Sequence, residues 1–234
     1  MIEFGHGTHA GLRRSRNEDT YYADAALGLF LVLDGMGGHR YGEVASAFAR
    51  DGVVERVSRG QSLLEAIEQV NIELSGRARL STEARPMGTT IAALRVTAEG
   101  YEAAWVGDSR IYVYRDELAQ VSHDHSLVQA MVEAGEIDPA QASRHPQRNV
   151  LTQALGITAP EQLHIGIARG GLERGMRFLL CTDGLTEEVG DATIGTIMAR
   201  TDLAAQECVD QLLLEALSTG ARDNVTAILL RAAL

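Results

Sequence analysis

The chain has 234 residues, 45% of them hydrophobic, which is ample for one domain with a substantial core. Its net charge of −11 argues against general affinity for nucleic acid or an anionic membrane, and its 21 basic residues are all arginine, which excludes a lysine-dependent mechanism. Cys181 and Cys208 are too isolated for a disulfide framework, no apolar run reaches membrane-spanning length, and the N-terminus MIEFGHGTHAGLRR has no secretory pattern, so a soluble, cytoplasmic, single domain over residues 1–234 is expected.

In chain order, apolar alternation or short runs bounded by Gly and Asp predict strands near 2–9, 20–24, 28–34, 90–96, 101–106, 110–115, 163–168, 177–182 and 224–231. Two stretches with helical periodicity follow the third strand. Tyr41, Val44, Ala45, Phe48, Gly52 and Val53 fall on one face, as do Leu63, Leu64, Ile67, Val70 and Leu74. Shorter helices are predicted at 126–134 and 138–143, inside a polar segment of about 122–150 that interrupts the strand pattern and reads as a helical flap. A last helix, about 202–218, stacks Leu203, Val209, Leu212, Leu213, Ala216 and Leu217. The strict βαβ alternation of a doubly wound sheet is absent, so antiparallel sheets with helices packed outside are expected.

Asp34 (LFLVLDGMGGH), Asp108 (AAWVGDSR) and Asp183 (FLLCTDG) each follow an apolar run and precede Gly or Ser, and Asp223 precedes NVTAILL. Any one Asp-Gly reads as an ordinary turn. Several carboxylates at the ends of buried strands, however, repel one another unless something positive sits between them. Glu18 and Asp19 of RRSRNEDT enlarge the acidic set, and no Cys or His stands at ligand spacing beside it; oxygen-only ligation selects Mg²⁺ or Mn²⁺ over Zn²⁺. Arg14 has two readings: an ion pair with Glu18 and Asp19, or a guanidinium fork that clamps a phosphate against the cations.

The stretches GLRRSRNED, LVLDGMGGHRYGEVAS, MGTT, WVGDSRIYVYR, the DHS of VSHDHS, HPQRNVLTQALG, LLCTDGLTEEV and ARDNVTAILL resemble, in order, the signature motifs of the metal-dependent protein phosphatases of the phosphatase 2C type, bacterial branch, from about residue 8 to 231. The resemblance implies an α+β fold: a central sandwich of two antiparallel β-sheets flanked by α-helices, four αββα layers with the metals at one end and the flap nearby. It implies that Asp34 bridges two core Mn²⁺ or Mg²⁺ ions, that the Gly35 carbonyl binds the second, and that Asp183 and Asp223 complete the first. Glu18 and Asp19 then reach the metals directly or through water. Asp108 and Asp183 hold a third, weaker ion with help from Glu187, and Arg14 binds phosphate.

The implied reaction is hydrolysis of phosphoserine or phosphothreonine by a water or hydroxide bridging the two ions, without a covalent enzyme intermediate. Phosphorylated proteins are the implied partners, and a bacterial Ser/Thr protein kinase the implied opponent. Two other readings are a phosphoprotein-binding pseudophosphatase, although such members typically lose metal aspartates that are all present here, and a metallohydrolase of small phosphate esters. Eukaryotic relatives carry a His directly after the DG as proposed general acid; here that residue is Met36, and the candidate is His39, with a loop histidine contacting substrate or a neighbouring carboxylate as its other reading and a metal-bound water as the other proton donor. His9 stands where relatives often have Asp. His123 and His125 are expected to make structural hydrogen bonds, Arg110 to pair with nearby acids, Trp105 to lie in the core, and Thr89 and Thr90 to begin a strand with no catalytic part.

Overall fold

The computed structural model describes residues 2–37, 41–80 and 87–232, the side chains of 78–80 excepted. Its strands are β1 (Ile2–His9), β2 (Asp19–Asp24), β3 (Leu29–Met36), β4 (Gly88–Thr89), β5 (Ile91–Thr97), β6 (Gly100–Val106), β7 (Arg110–Tyr114), β8 (Leu118–Gln120), β9 (Gly166–Gly170), β10 (Arg177–Cys181) and β11 (Val225–Ala232). Its helices are α1 (Tyr41–Ser58), α2 (Leu63–Leu80), α3 (Leu127–Glu133), α4 (Pro139–Ala142), α5 (Asp183–Thr186), α6 (Asp191–Met198) and α7 (Ala205–Thr219). One sheet runs β1-β11-β10-β7-β8 and the other β2-β3-β5-β6-β9, with β4 on the end of β3. Neighbouring strands in both are antiparallel, as expected from the strand pattern.

Alternation along β3 explains the layers. Phe30 and Val32 point between the sheets and pack with Leu94 and Trp105 against Ile111, Phe178, Leu180, Ile228 and Leu230 of the opposite sheet. Leu29, Leu31 and Leu33 point the other way, onto Ala45, Ala49 and Val53 of α1 and Ile67, Val70 and Leu74 of α2. On the far side, Leu179, Cys181, Ala227 and Leu229 meet Ile194 of α6 and Val209, Leu212 and Ala216 of α7. The result is the αββα stack. Central strands are buried on both faces, which is why they read as continuous apolar runs rather than half-polar alternation. Each such large side chain removed from water contributes about 1.5–3 kcal/mol.

Two expectations need correcting. The face predicted for α1 is right at Ala45, Gly52 and Val53, which are buried, but Val44 is 51% exposed, and Gly42, Ser46, Ala49 and Val57 complete the buried stripe. Small residues face the sheet because they let the helix lie close to β3, while Phe48 sits at the margin under the Arg77 guanidinium. Helices α5 and α6 had no sequence signal, since Gly and Thr depress helix propensity there. Burial of Leu185, Ile194 and Met198 against the sheet supplies what propensity lacks. The flap segment does carry two short helices. Ser126 caps α3 by accepting from the Gln129 amide at 3.3 Å, and Ser126 also bridges to Leu151, so the two ends of the flap meet at its base.

Candidate active site

Five acids converge at one end of the sandwich because five strand ends do. Asp19 opens β2 directly opposite Asp34 in the β3 register. Asp108 lies in the turn between β6 and β7, Asp183 follows β10, and Asp223 precedes β11. A cleft of about 780 Å³ lies over this end, lined by Arg14, Arg16, Glu18, Asp34, Gly35, Met36, Asp108, Asp183 and Asp223, with residues 151–154, Ile157 and Thr158 forming the other wall. Asp19 sits beneath the cleft lining and is 9% exposed. Glu187 lies at the end of α5, 3.6 Å from the Arg148 guanidinium and close enough to Asp183 to act on its charge. His39 falls outside the described residues.

The acids are held by bonds with no sequence-local signature. The Asp34 amide donates to Thr90 Oγ1 at 3.0 Å, and the Asp34 carbonyl accepts from the Thr90 amide at 2.9 Å and from Thr89 Oγ1 at 2.8 Å. Thr89 and Thr90, read from sequence as mere strand residues, therefore clamp the backbone of the central aspartate. Asp19 Oδ2 accepts from Thr182 Oγ1 at 2.8 Å and Thr226 Oγ1 at 2.7 Å. Asn224 accepts from the Glu18 amide and donates to the Ala10 and Arg16 carbonyls, pinning the loop that carries Arg14 and Glu18. A Cβ on Gly42 would sit 2.6 Å from both the Gly35 carbonyl oxygen and Glu18 Oε2, so glycine at the start of α1 lets these two oxygens approach each other. Neither Asn224 nor these threonines carry a sequence signal for their roles, because their partners are distant in the chain.

Electrostatics set the character of the site. Burial, and then the charges of Asp19, Asp183, Asp108 and Asp223, push the Asp34 carboxyl well above the usual range. Asp34 thus feels every other aspartate of the cluster. Burial, followed by Asp183, does the same to Asp108. Asp183 is raised by burial, then Glu187 and Asp223; Asp19 is raised by burial against the opposing pull of its two threonine hydroxyls. Arg14 does not pair with Glu18 or Asp19: its guanidinium is 2.5 Å from Asp223 Oδ2, and this bond first, then the acidic surroundings, raises its pKa.

The residues fit hard divalent cations. Asp19 Oδ1 and Asp183 Oδ1 are buried with no hydrogen-bond partner among the described residues, and the donor set is carboxylate and carbonyl oxygen throughout. As the side chains stand, no three His, Cys, Asp or Glu groups among the described residues are drawn together tightly enough to enclose an ion. Asp223 is paired with Arg14.

The remaining predicted residues are at the margins. His9 Nδ1 accepts from the Gly11 amide at 3.0 Å and is exposed. Arg110 pairs with Asp124 at 2.7 Å, and Trp105 is buried, donating its indole N–H to the His123 carbonyl. His125 accepts from the Gly107 amide through Nδ1.

Comparison with known proteins places this fold in a family. Residues 6–229 match the family model for protein phosphatase 2C. The serine/threonine protein phosphatase PstP of Mycobacterium tuberculosis is 35% identical over 97% of this chain, which spans only 44% of that relative's length. The serine/threonine phosphatase stp of Listeria innocua is 32% identical over 94% of both proteins. The crystal structure of M. tuberculosis PstP superposes with a TM-score of 0.91 at 31% identity, covering 100% of this chain and 99% of that one. A PstP catalytic domain in complex with two manganese ions does so with a TM-score of 0.87 at 29% identity, covering 100% and 99%. With the sheets, the acidic strand ends and the sequence match in agreement, the chain belongs to the protein phosphatase 2C family.

Proposed function

We propose that residues 1–234 act as one catalytic domain that hydrolyses phosphoserine and phosphothreonine in proteins, with Mn²⁺ or Mg²⁺ as cofactor. The observation that carries this reading is the cleft floor: mutually repelling carboxylates with Arg14 at their edge. A phosphate dianion cannot approach them without added positive charge. Asp34, the Gly35 carbonyl, Asp183 and Asp223 would hold two core cations, with Glu18 and Asp19 behind them; Asp108 and Asp183 would hold a third, with Glu187 alongside. Bound there, the cations supply Lewis acidity that neutralises phosphoryl charge and acidifies water.

The chain's own groups do the rest. Arg14, 58% exposed at the side chain, leaves Asp223 and turns its fork to the phosphoryl oxygens. Thr89 and Thr90 keep Asp34 in place, and Thr182 and Thr226 orient Asp19, so the carboxylates meet their load without rearranging their backbone. The departing alkoxide takes a proton, and His39 is the proposed donor: among the described residues, no histidine lines the cleft. Phosphorylated proteins are the substrates, a bacterial Ser/Thr kinase the opponent and the cytoplasm the location. No helix among the described residues is long and apolar enough to cross a membrane.

The test is to compare p-nitrophenyl phosphate and phosphothreonine peptides as substrates with Mn²⁺, with EDTA, and after Asp34→Asn. Mn²⁺-dependent turnover of both substrates, lost in the variant, is expected. Turnover of the small ester alone would assign the site to small phosphate esters, and no turnover of either would point to a binding protein.

A further inference from the structure

The turn that carries Asp108 is tied to the base of the flap by one residue. The His125 amide donates to the Gly107 carbonyl at 2.9 Å, and the Gly107 amide donates back to His125 Nδ1 at 3.3 Å, so a single residue takes both polar groups of Gly107. Gly107 has little freedom of its own. Its φ of +103° belongs to glycine, and a Cβ there would lie 2.6 Å from Thr90 Cγ2, on the residue that also clamps Asp34. On its other side, the His125 carbonyl accepts from the Thr152 amide at 2.8 Å, and Thr152 lines the catalytic cleft. The next residue, Ser126, caps α3 and bridges Leu151.

An accepting Nδ1 places the ring proton on Nε2, so only the neutral imidazole makes this bond. Burial, and then the His164 ring 5.7 Å away, lowers the His125 pKa and favours that form. The ring also lines a recess of about 420 Å³ on the other side of Thr152, with Trp105, Gln129, Glu133 and His164. It therefore stands between the flap and the Asp108 turn.

We infer that His125 is a positioning residue for Asp108: its imidazole fixes the Gly107 peptide, and with it the direction of the Asp108 carboxylate toward the cation site shared with Asp183. The inference rests on the reading of Asp108 as a ligand. Partners that orient metal ligands are worth about 10–100-fold in affinity. The geometry also chooses the substitute: the Oδ1 of Asn reaches the place of Nδ1, whereas Ala leaves the Gly107 amide unpaired.

The test is a Mn²⁺ titration of the metal-free protein, followed by the electron paramagnetic resonance signal of free Mn²⁺, for the wild type, His125→Ala, His125→Asn and Asp108→Asn. The expected result is loss of the weakest class of sites in Asp108→Asn, about tenfold weakening of that class alone in His125→Ala, and recovery in His125→Asn. A wild-type curve for His125→Ala beside a changed one for Asp108→Asn would overturn the inference and leave the ligand reading intact. An unchanged curve for Asp108→Asn would remove the ligand reading and the inference with it. Weakening of every class in His125→Ala, without recovery in His125→Asn, would make the residue merely structural and also overturn the inference.

Discussion

Arg14 is the residue on which substrate binding turns. It is bound to Asp223 at 2.5 Å and mostly exposed, so its present partner is one that a cation can take over. Charge-assisted hydrogen bonds contribute about 1.5–3 kcal/mol, so Arg14→Ala is expected to raise KM for a phosphopeptide about tenfold or more, with less effect on kcat. Steady-state kinetics at saturating Mn²⁺ checks this; an unchanged KM would leave Arg14 a structural partner of Asp223. Thr90→Val removes a hydroxyl that accepts from the Asp34 amide and shares a 2.7 Å bond with Ser109. It is expected to cost about 1 kcal/mol of stability in a denaturant titration, and to lower activity beyond that loss. At this scale the sequence was half legible. Asp34, Asp108, Asp183 and Asp223 stood out because each abuts a strand, but Thr90, Thr182, Thr226 and Asn224 acquire their roles only when strands far apart in the chain become neighbours.

At the scale of elements, the junction of β3 and α1 is the tightest constraint. A side chain on Gly35 would collide with the backbone carbonyl of Gly42 and crowd that of Glu18, so one of these backbone segments would have to move. Gly35→Ala is therefore expected to displace α1 from the end of β3 and lower Tm by several degrees, read by thermal unfolding, with activity lost in the folded fraction. The same closeness explains why the α1 face was misjudged. Hydrophobicity placed Val44 on the face with Ala45 and Gly52, whereas contact with the sheet adds Gly42 and Ala49 for size and leaves Val44 outside. Strand periods were legible because double burial makes them continuous; α5 and α6 were not, because packing rather than propensity holds them.

For the whole molecule, folding has to bring like charges together. Asp183 is raised to about 6 and Asp19 to about 7, both chiefly by burial, against an ordinary value of 3.8. Groups raised on folding take up protons that the unfolded chain does not, so the stability contributed by these two is fully present below 3.8 and is lost as pH rises through about 7. The Tm of chelator-treated protein is expected to fall between about pH 5 and about pH 8, and saturating Mn²⁺ to raise Tm most at the alkaline end, where it replaces the missing protons. A metal-free Tm that is flat across this range, or a Mn²⁺ effect that shrinks with pH, would contradict the description of the cluster as uncompensated acid.

That description and the proposed chemistry meet in Asp183, whose charge acts on both Asp34 and Asp108. The most direct measurement is phosphate release from a phosphothreonine peptide by the wild type and by Asp183→Asn, each with Mn²⁺ and with EDTA. Release by the wild type only when Mn²⁺ is present, with loss of at least about a hundredfold in the folded variant, is the expected result. Release that survives EDTA, or a variant within about tenfold of the wild type, would contradict it.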